Sequence, residues 1–264
     1  MEQSQKHIIG YSFKGRPIWA FTCGNGPKSL HINASVHANE WITTIVLLRW
    51  FMKMNRRYRK TYLNEDAIKI WVVPLVNPDG VDLVMNGRRS DWKANARGVD
   101  LNDQFPAGWE VERKRRGKLK AGARDFGGDA PLSESESMAL HDLVKRTSPD
   151  AVVALHTQGR EIYYNYRDFE PRDAAWLAKQ MGLAVTKNAY RAVKLSNSDA
   201  GFKDWFIQEF RKYGFTIEMG SGVNPLPIKY HSTLLIEFEA MMNVLCNFIA
   251  GHTPTNKEYP PKYK

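Results

Sequence analysis

Two hydrophobic periods alternate along this chain. Between residues 29 and 41, S-L-H-I-N-A-S-V-H-A-N-E-W, the alternation of Leu30, Ile32 and Ala34 with their neighbours predicts a buried strand. From 43 to 57 the period lengthens: Ile45, Val46, Leu48, Trp50, Phe51 and Met54 recur at helical spacing, and the helix ends in basic residues that suit its C-terminal dipole. Upstream, a turn at Lys14–Gly15 and a strand over 17–23 form a β-hairpin start. The apolar, β-branched run 68–75 fits a strand buried on both faces, and N-P-D-G at 77–80 then turns the chain. Between 87 and 128 periodicity is lost among Gly, Arg, Lys, Asn and Asp, as in a long functional or disordered loop. Ser133 and Glu136 then make a capping box for a helix to about Lys145. A short buried strand over 151–155 ends at His156, followed by an aromatic strand-like piece over 162–166. Helices over about 172–181 and 202–212, a strand over 215–218, a closing helix over 235–249 and a loose tail complete the pattern.

Strands alternating with helices predict an α/β fold, a parallel or mixed sheet with helices on both faces. No repeat, linker or composition break interrupts residues 1–264, so the expectation is one domain. With 43% hydrophobic and 25% charged residues, the balance is that of a soluble globular protein. No run approaches the roughly 20 apolar residues of a membrane span, and M-E-Q-S-Q-K-H lacks a signal-peptide core, so a cytoplasmic location is expected of the sequence as written, with the cell wall or spore as the alternative if an upstream segment is missing. Cys23 and Cys246 read as small core residues rather than a disulfide framework. The net charge of +10 is concentrated at 113–120 with Arg124, and at 56–60. Without aromatic interleaving or a nucleic-acid module, solvated loops and a helix end explain these clusters better than nucleic acid does.

Chemistry gathers where strands end. His37 and Glu40, three residues apart, follow the strand over 30–35, His156 caps the strand over 151–155, and Glu218 ends the strand over 215–218. Residues i and i+3 meet on one side of a helical turn, and sites in doubly wound sheets lie beyond the strands' carboxyl ends. A catalytic zinc takes three protein ligands and a water, which lets His37, Glu40 and His156 hold one Zn²⁺ and leaves Glu218 for proton transfer. His7, His31, His141, His231 and His252 lack such company and read as structural or surface residues.

The ordered motifs H-A-N-E-W, N-P-D-G, R-G-V-D-L-N, A-L-H-T-Q-G and T-I-E-M-G resemble the zinc carboxypeptidase family, the carboxypeptidase A-like metallopeptidases, over nearly the whole chain. That resemblance implies a three-layer α/β/α fold around a mixed, mostly eight-stranded sheet, zinc on His37, Glu40 and His156, and Glu218 as general base and acid. The departures sharpen it. Where the family clamps a terminal carboxylate with an Asn-Arg pair, V-D-L-N-D keeps Asn102 and substitutes Asp103, which prefers an ammonium. Lys93 after Trp92 takes the place of the oxyanion arginine, with Arg97 as the substitute, and Ser196 stands near the position of a tyrosine found in many members.

The stretch 98–110, G-V-D-L-N-D-Q-F-P-A-G-W-E, is similar to the bacterial gamma-D-glutamyl-L-diamino acid endopeptidases, which cut muropeptides. meso-Diaminopimelate ends in a centre bearing both an ammonium and a carboxylate, and Asp103 suits that ammonium. The resemblance therefore implies a peptidoglycan stem-peptide substrate, with no nucleic-acid or membrane partner. The alternatives are an ordinary metallocarboxypeptidase, which Asp103 disfavours, and an inactive wall-binding module, which the intact ligand set and Glu218 disfavour.

Overall fold

The computed structural model describes residues 4–58, 67–187 and 189–251, without the side chains of 56–58. The predicted cluster at 56–60, His252 and the tail therefore lie wholly or in part outside the described residues. Among the described residues eight strands are present: β1 (Gln5–Tyr11), β2 (Pro17–Cys23), β3 (Lys28–Ala34), β4 (Ile68–Val73), β5 (Ala151–Thr157), β6 (Glu161–Tyr163), β7 (Arg191–Val193) and β8 (Tyr213–Met219). They form one mixed sheet in the order β1-β2-β4-β3-β5-β8-β6-β7. β4, β3, β5 and β8 run parallel through its centre, and β1, β2 and β6 add antiparallel pairings on either side. Every residue of β5 is buried, which is why A-V-V-A-L is a continuous apolar run rather than an alternating one.

Among the described residues there are seven α-helices: α1 (Ile42–Tyr58), α2 (Pro78–Met85), α3 (Trp109–Arg116), α4 (Ser135–Thr147), α5 (Ala174–Leu183), α6 (Phe202–Phe210) and α7 (His231–Ile249). α1, α5 and α7 pack one face, where Trp50 meets Phe238 edge-on at 5.4 Å between centroids. α4 and α6 pack the other through Leu140, Leu143, Phe202, Trp205 and Phe206. The result is the expected three-layer α/β/α arrangement. Cys23 and Cys246 are buried free thiols.

Three local expectations are corrected. N-P-D-G is the start of α2 rather than a plain turn: Asn77 caps it by accepting from Gly80 N at 2.9 Å, with Pro78 in the first turn. The irregular stretch 87–128 contains α3, whose only buried residues are Trp109 and Glu112, too few to leave an apolar period. The capping box at Ser133 and Glu136 does not form. Ser133 Oγ turns to Gln104 and Glu134, Glu136 accepts from the Phe13 amide at 3.1 Å, and α4 begins at Ser135. β7 and the first turn of α7 were also not anticipated. Residues 228–249 have the length and apolar composition of a membrane span, but half of that window is buried in this core.

Candidate metal and catalytic site

β3, β5 and β8 are neighbours in parallel register, so their carboxyl ends open at one place. Beyond β3 the chain passes Ser35, with φ 49°, and enters a short 3-10 turn, Ala38–Glu40, that presents His37 and Glu40 together. Thr43 Oγ1 fastens this turn, accepting from Ser35 N at 3.0 Å and donating to Glu40 O at 2.7 Å. Asn77 Nδ2 donates to both Val36 O and Ala94 O at 3.1 Å, and Ala38 N to Lys93 O at 2.9 Å. The N-P-D-G motif thus joins the His37 loop to the Lys93 loop.

The ligand atoms of His37, Glu40 and His156 all lie within 4.8 Å of one another, and all three residues are buried. His37 Nδ1 is 3.0 Å from Glu40 Oε1, and His156 Nδ1 is 2.9 Å from Glu40 Oε2 and 3.1 Å from His37 Nδ1. Two imidazole nitrogens and a carboxylate converging in this way place their lone pairs on a common point, which is the donor set of a zinc site. Opposite the ligand nitrogen, His37 Nε2 bonds Asp100 Oδ1 at 3.1 Å, the carboxylate–histidine support that fixes a metal-binding imidazole. Burial alone would raise Glu40, but the charges of His37 and His156 outweigh it and hold the carboxyl at about 2. Burial and Lys93 push His37 down; Glu40 and Asp100 prevail and bring it to about 9.

Glu218 sits on β8 between two register partners, His156 on β5 and Glu161 on β6. Burial and then the charge of Glu40 push its carboxyl up, His37 and Lys93 oppose this, and the balance lies at about 8. Glu218, His37, Lys93, Asn102, Asp103 and Arg116 are among the residues lining one cavity of about 230 Å³. Lys93 Nζ lies 2.6 Å from both Asp100 Oδ2 and Asp125 Oδ1. Burial would lower the Lys93 ammonium, but Asp100 and Asp103 keep it well above its usual range, so it is a fixed positive charge. Arg97, the substitute, lies near Glu134 at 3.8 Å and over the Phe13 ring, and does not line this cavity. Ser196 does not line it either, although Leu195, Asn197 and Ser198 do.

Asn102 and Asp103 follow Asp100, whose side chain accepts from Asn102 N at 3.0 Å and starts a 3-10 turn, Leu101–Gln104. Asp103 is 8% exposed, and its Oδ2 has no hydrogen-bond partner among the described residues. Burial and then Asp100 hold its carboxyl well above the usual range, against the pull of Lys93 and Arg116. Asp100, Asp125, Arg116, Tyr163 and Asn224 were not anticipated. Asn224 is held through Thr157, by two 2.8 Å bonds, beside Glu40. Asp100 carried a signal, two residues before Asn102 in G-V-D-L-N, whereas Asn224 carried none.

Residues 2–238 match the zinc carboxypeptidase family. The chain belongs to the zinc carboxypeptidase family. It is 44% identical over 253 residues to the uncharacterized protein YqgT of Bacillus subtilis, covering 85% of this chain and 67% of that protein. It is 40% identical over 263 residues to gamma-D-glutamyl-L-diamino acid endopeptidase 1 of Lysinibacillus sphaericus, covering 87% and 64%. The chain thus spans about two thirds of the length of each of these relatives. Bovine thrombin-activatable fibrinolysis inhibitor shares the fold, with a TM-score of 0.83 at 21% identity over 96% of this chain and 92% of the other. In this zinc-dependent family, the His37, Glu40 and His156 group is the set that fits the ion.

Proposed function

We propose that this domain hydrolyses the gamma-D-glutamyl–diamino acid bond of peptidoglycan stem peptides, with meso-diaminopimelate as the diamino acid. The observation that carries this reading is Asp103: a buried carboxylate oxygen without a hydrogen-bond partner, lining the cavity that also holds His37 and Glu218. Such a group attracts an ammonium, which the C-terminal carbon of an ordinary carboxypeptidase substrate does not carry. The 40% identity to an enzyme named for this bond supports the same assignment.

His37, Glu40 and His156 would hold the zinc, which when bound would supply a Lewis acid and a water of lowered pKa. Glu218, once ionised, accepts the water's proton and returns it to the leaving nitrogen. Lys93, held in place by Asp100 and Asp125, keeps a positive charge beside the oxygen that becomes negative in the tetrahedral state. Asn102 contributes neutral hydrogen bonds beside Asp103 in the leaving-group half of the cavity. Asp100 positions the His37 ring.

The test of the substrate assignment is Asp103→Asn. Losing a charged hydrogen bond to the distal ammonium should lower kcat/KM for a diaminopimelate substrate by about 10–100-fold, with little effect on an analogue lacking that amino group. An equal loss on both substrates makes Asp103 a structural residue of its turn and removes the main support for this reading.

A further inference from the structure

Arg116 stands at the end of α3, whose N-cap is Gly108. A side chain at Gly108 would lie 2.3 Å from Asp199 Oδ1 and 2.6 Å from Arg167 Nη2, so this residue lets α3 start close against the Asp199 cluster. The helix then delivers Arg116 to the cavity. Its Nε donates to Glu112 Oε1 at 2.7 Å and its Nη1 to Asp125 Oδ2 at 3.2 Å. Its Nη2 is 3.7 Å from Asp103 Oδ2, too far for a hydrogen bond. A guanidinium fixed at two points thus keeps Nη2 beside the unpartnered oxygen of Asp103, and both residues line the cavity of His37 and Glu218. The other cations of that cavity are committed. Lys93 is held by Asp100 and Asp125, and Lys203 by Asp204 and Asn165 O. Arg115, next in the chain, pairs with Glu112 and Asp199.

Resting on the function proposed above, we infer that Asp103 and Arg116 form a two-point clamp for a zwitterionic carbon. The ammonium of the distal centre goes to Asp103 and its carboxylate to Arg116. An ionisable carboxyl and a guanidinium set side by side at 3.7 Å, without a hydrogen bond between them, complement a ligand that presents an ammonium and a carboxylate, and the arriving ammonium favours the ionised form of Asp103. The clamp separates two diamino acids. Diaminopimelate carries both groups on its distal carbon, whereas lysine carries only the ammonium and leaves Arg116 Nη2 without an anion. Arg116 is thereby the residue that makes diaminopimelate the preferred diamino acid, and it returns to the cavity, from another element, a guanidinium that position 103 does not supply.

Two soluble substrates, L-Ala-gamma-D-Glu-meso-diaminopimelate and L-Ala-gamma-D-Glu-L-Lys, distinguish the outcomes with zinc-loaded wild type, Arg116→Met and Arg116→Lys. Binding of both to the Glu218→Gln background, followed by calorimetry, gives a readout independent of turnover. The wild type should prefer the diaminopimelate substrate by about 10–100-fold. Arg116→Met should abolish that preference by weakening diaminopimelate binding alone, and Arg116→Lys, which keeps the charge without the fork, should retain part of it. An unchanged preference in Arg116→Met, or an equal loss on both substrates in both variants, overturns the clamp and leaves the function standing. A wild type that cleaves neither substrate overturns the function, and the clamp with it.

Discussion

Glu218 and His156 are register partners on adjacent strands, yet they are assigned different work, and substitution separates the two roles. Glu218→Gln removes the proposed proton carrier, which is not among the three clustered candidate ligands, so zinc content should stay at that of the wild type while turnover falls by about 10²–10⁴-fold. Near-wild-type turnover in this variant moves the proton transfer to another group. His156→Ala takes away one of three converging donors, and elemental analysis should show zinc lost. Full occupancy in that variant would contradict the ligand assignment. That His37, Glu40, His156 and Glu218 lie together was legible because each is a chemically distinctive side chain at the end of an apolar run. Asp100 was not singled out, because its bond to His37 Nε2 depends on where the 3-10 turn after Val99 folds back in space. The same holds for Arg116, which within its basic run looks like any other solvated arginine.

At the level of elements, β3 carries an unusual load. Its inner residues are apolar or small except His31 and Asn33, both fully buried and both without hydrogen-bond partners among the described residues. His31 packs against Phe202 at 5.8 Å between ring centroids, and burial lowers its pKa to about 3. The folded state therefore keeps His31 neutral while the unfolded chain takes up a proton below about 6.5. No penalty exists above that pH; between about 6.5 and 3 the penalty grows by about a factor of ten in the folding equilibrium per pH unit. His31→Leu should remove this contribution, so chemical denaturation at pH 7 and pH 4.5 should show a smaller acid loss in the variant than in the wild type. Equal losses would mean that His31 finds a partner in the folded protein. The strands and the long helices were readable because their apolar faces supply most of their stability. α2 was not, because it is eight residues long and starts on an N-P-D-G sequence that also reads as a turn, and α3 was not, because charged residues crowd a helix with two buried positions. The displaced capping box at Ser133 and Glu136 shows tertiary hydrogen bonds overriding a local signal.

Across the whole molecule, the parallel order of β3, β5 and β8 brings together residues as far apart in the chain as His37 and Glu218. Strand-end placement made that convergence legible without knowledge of the strand order. The net charge of +10 was less informative, since Arg115 is paired with Glu112 and Asp199, and Arg116 is held by Glu112 and Asp125 through Nε and Nη1 with only Nη2 facing the cavity. The central claim is that a zinc carboxypeptidase fold, with Asp103 lining the cavity of His37 and Glu218, acts on a gamma-linked diamino acid. Its most direct test is the rate of zinc-loaded enzyme on L-Ala-gamma-D-Glu-meso-diaminopimelate beside an ordinary alpha-linked peptide with a free C-terminus, in the same buffer and salt. The account predicts cleavage of the gamma-D-glutamyl bond and no release of the C-terminal residue from the ordinary peptide above a zinc-free control. Release from the ordinary peptide at an equal or greater rate would contradict it.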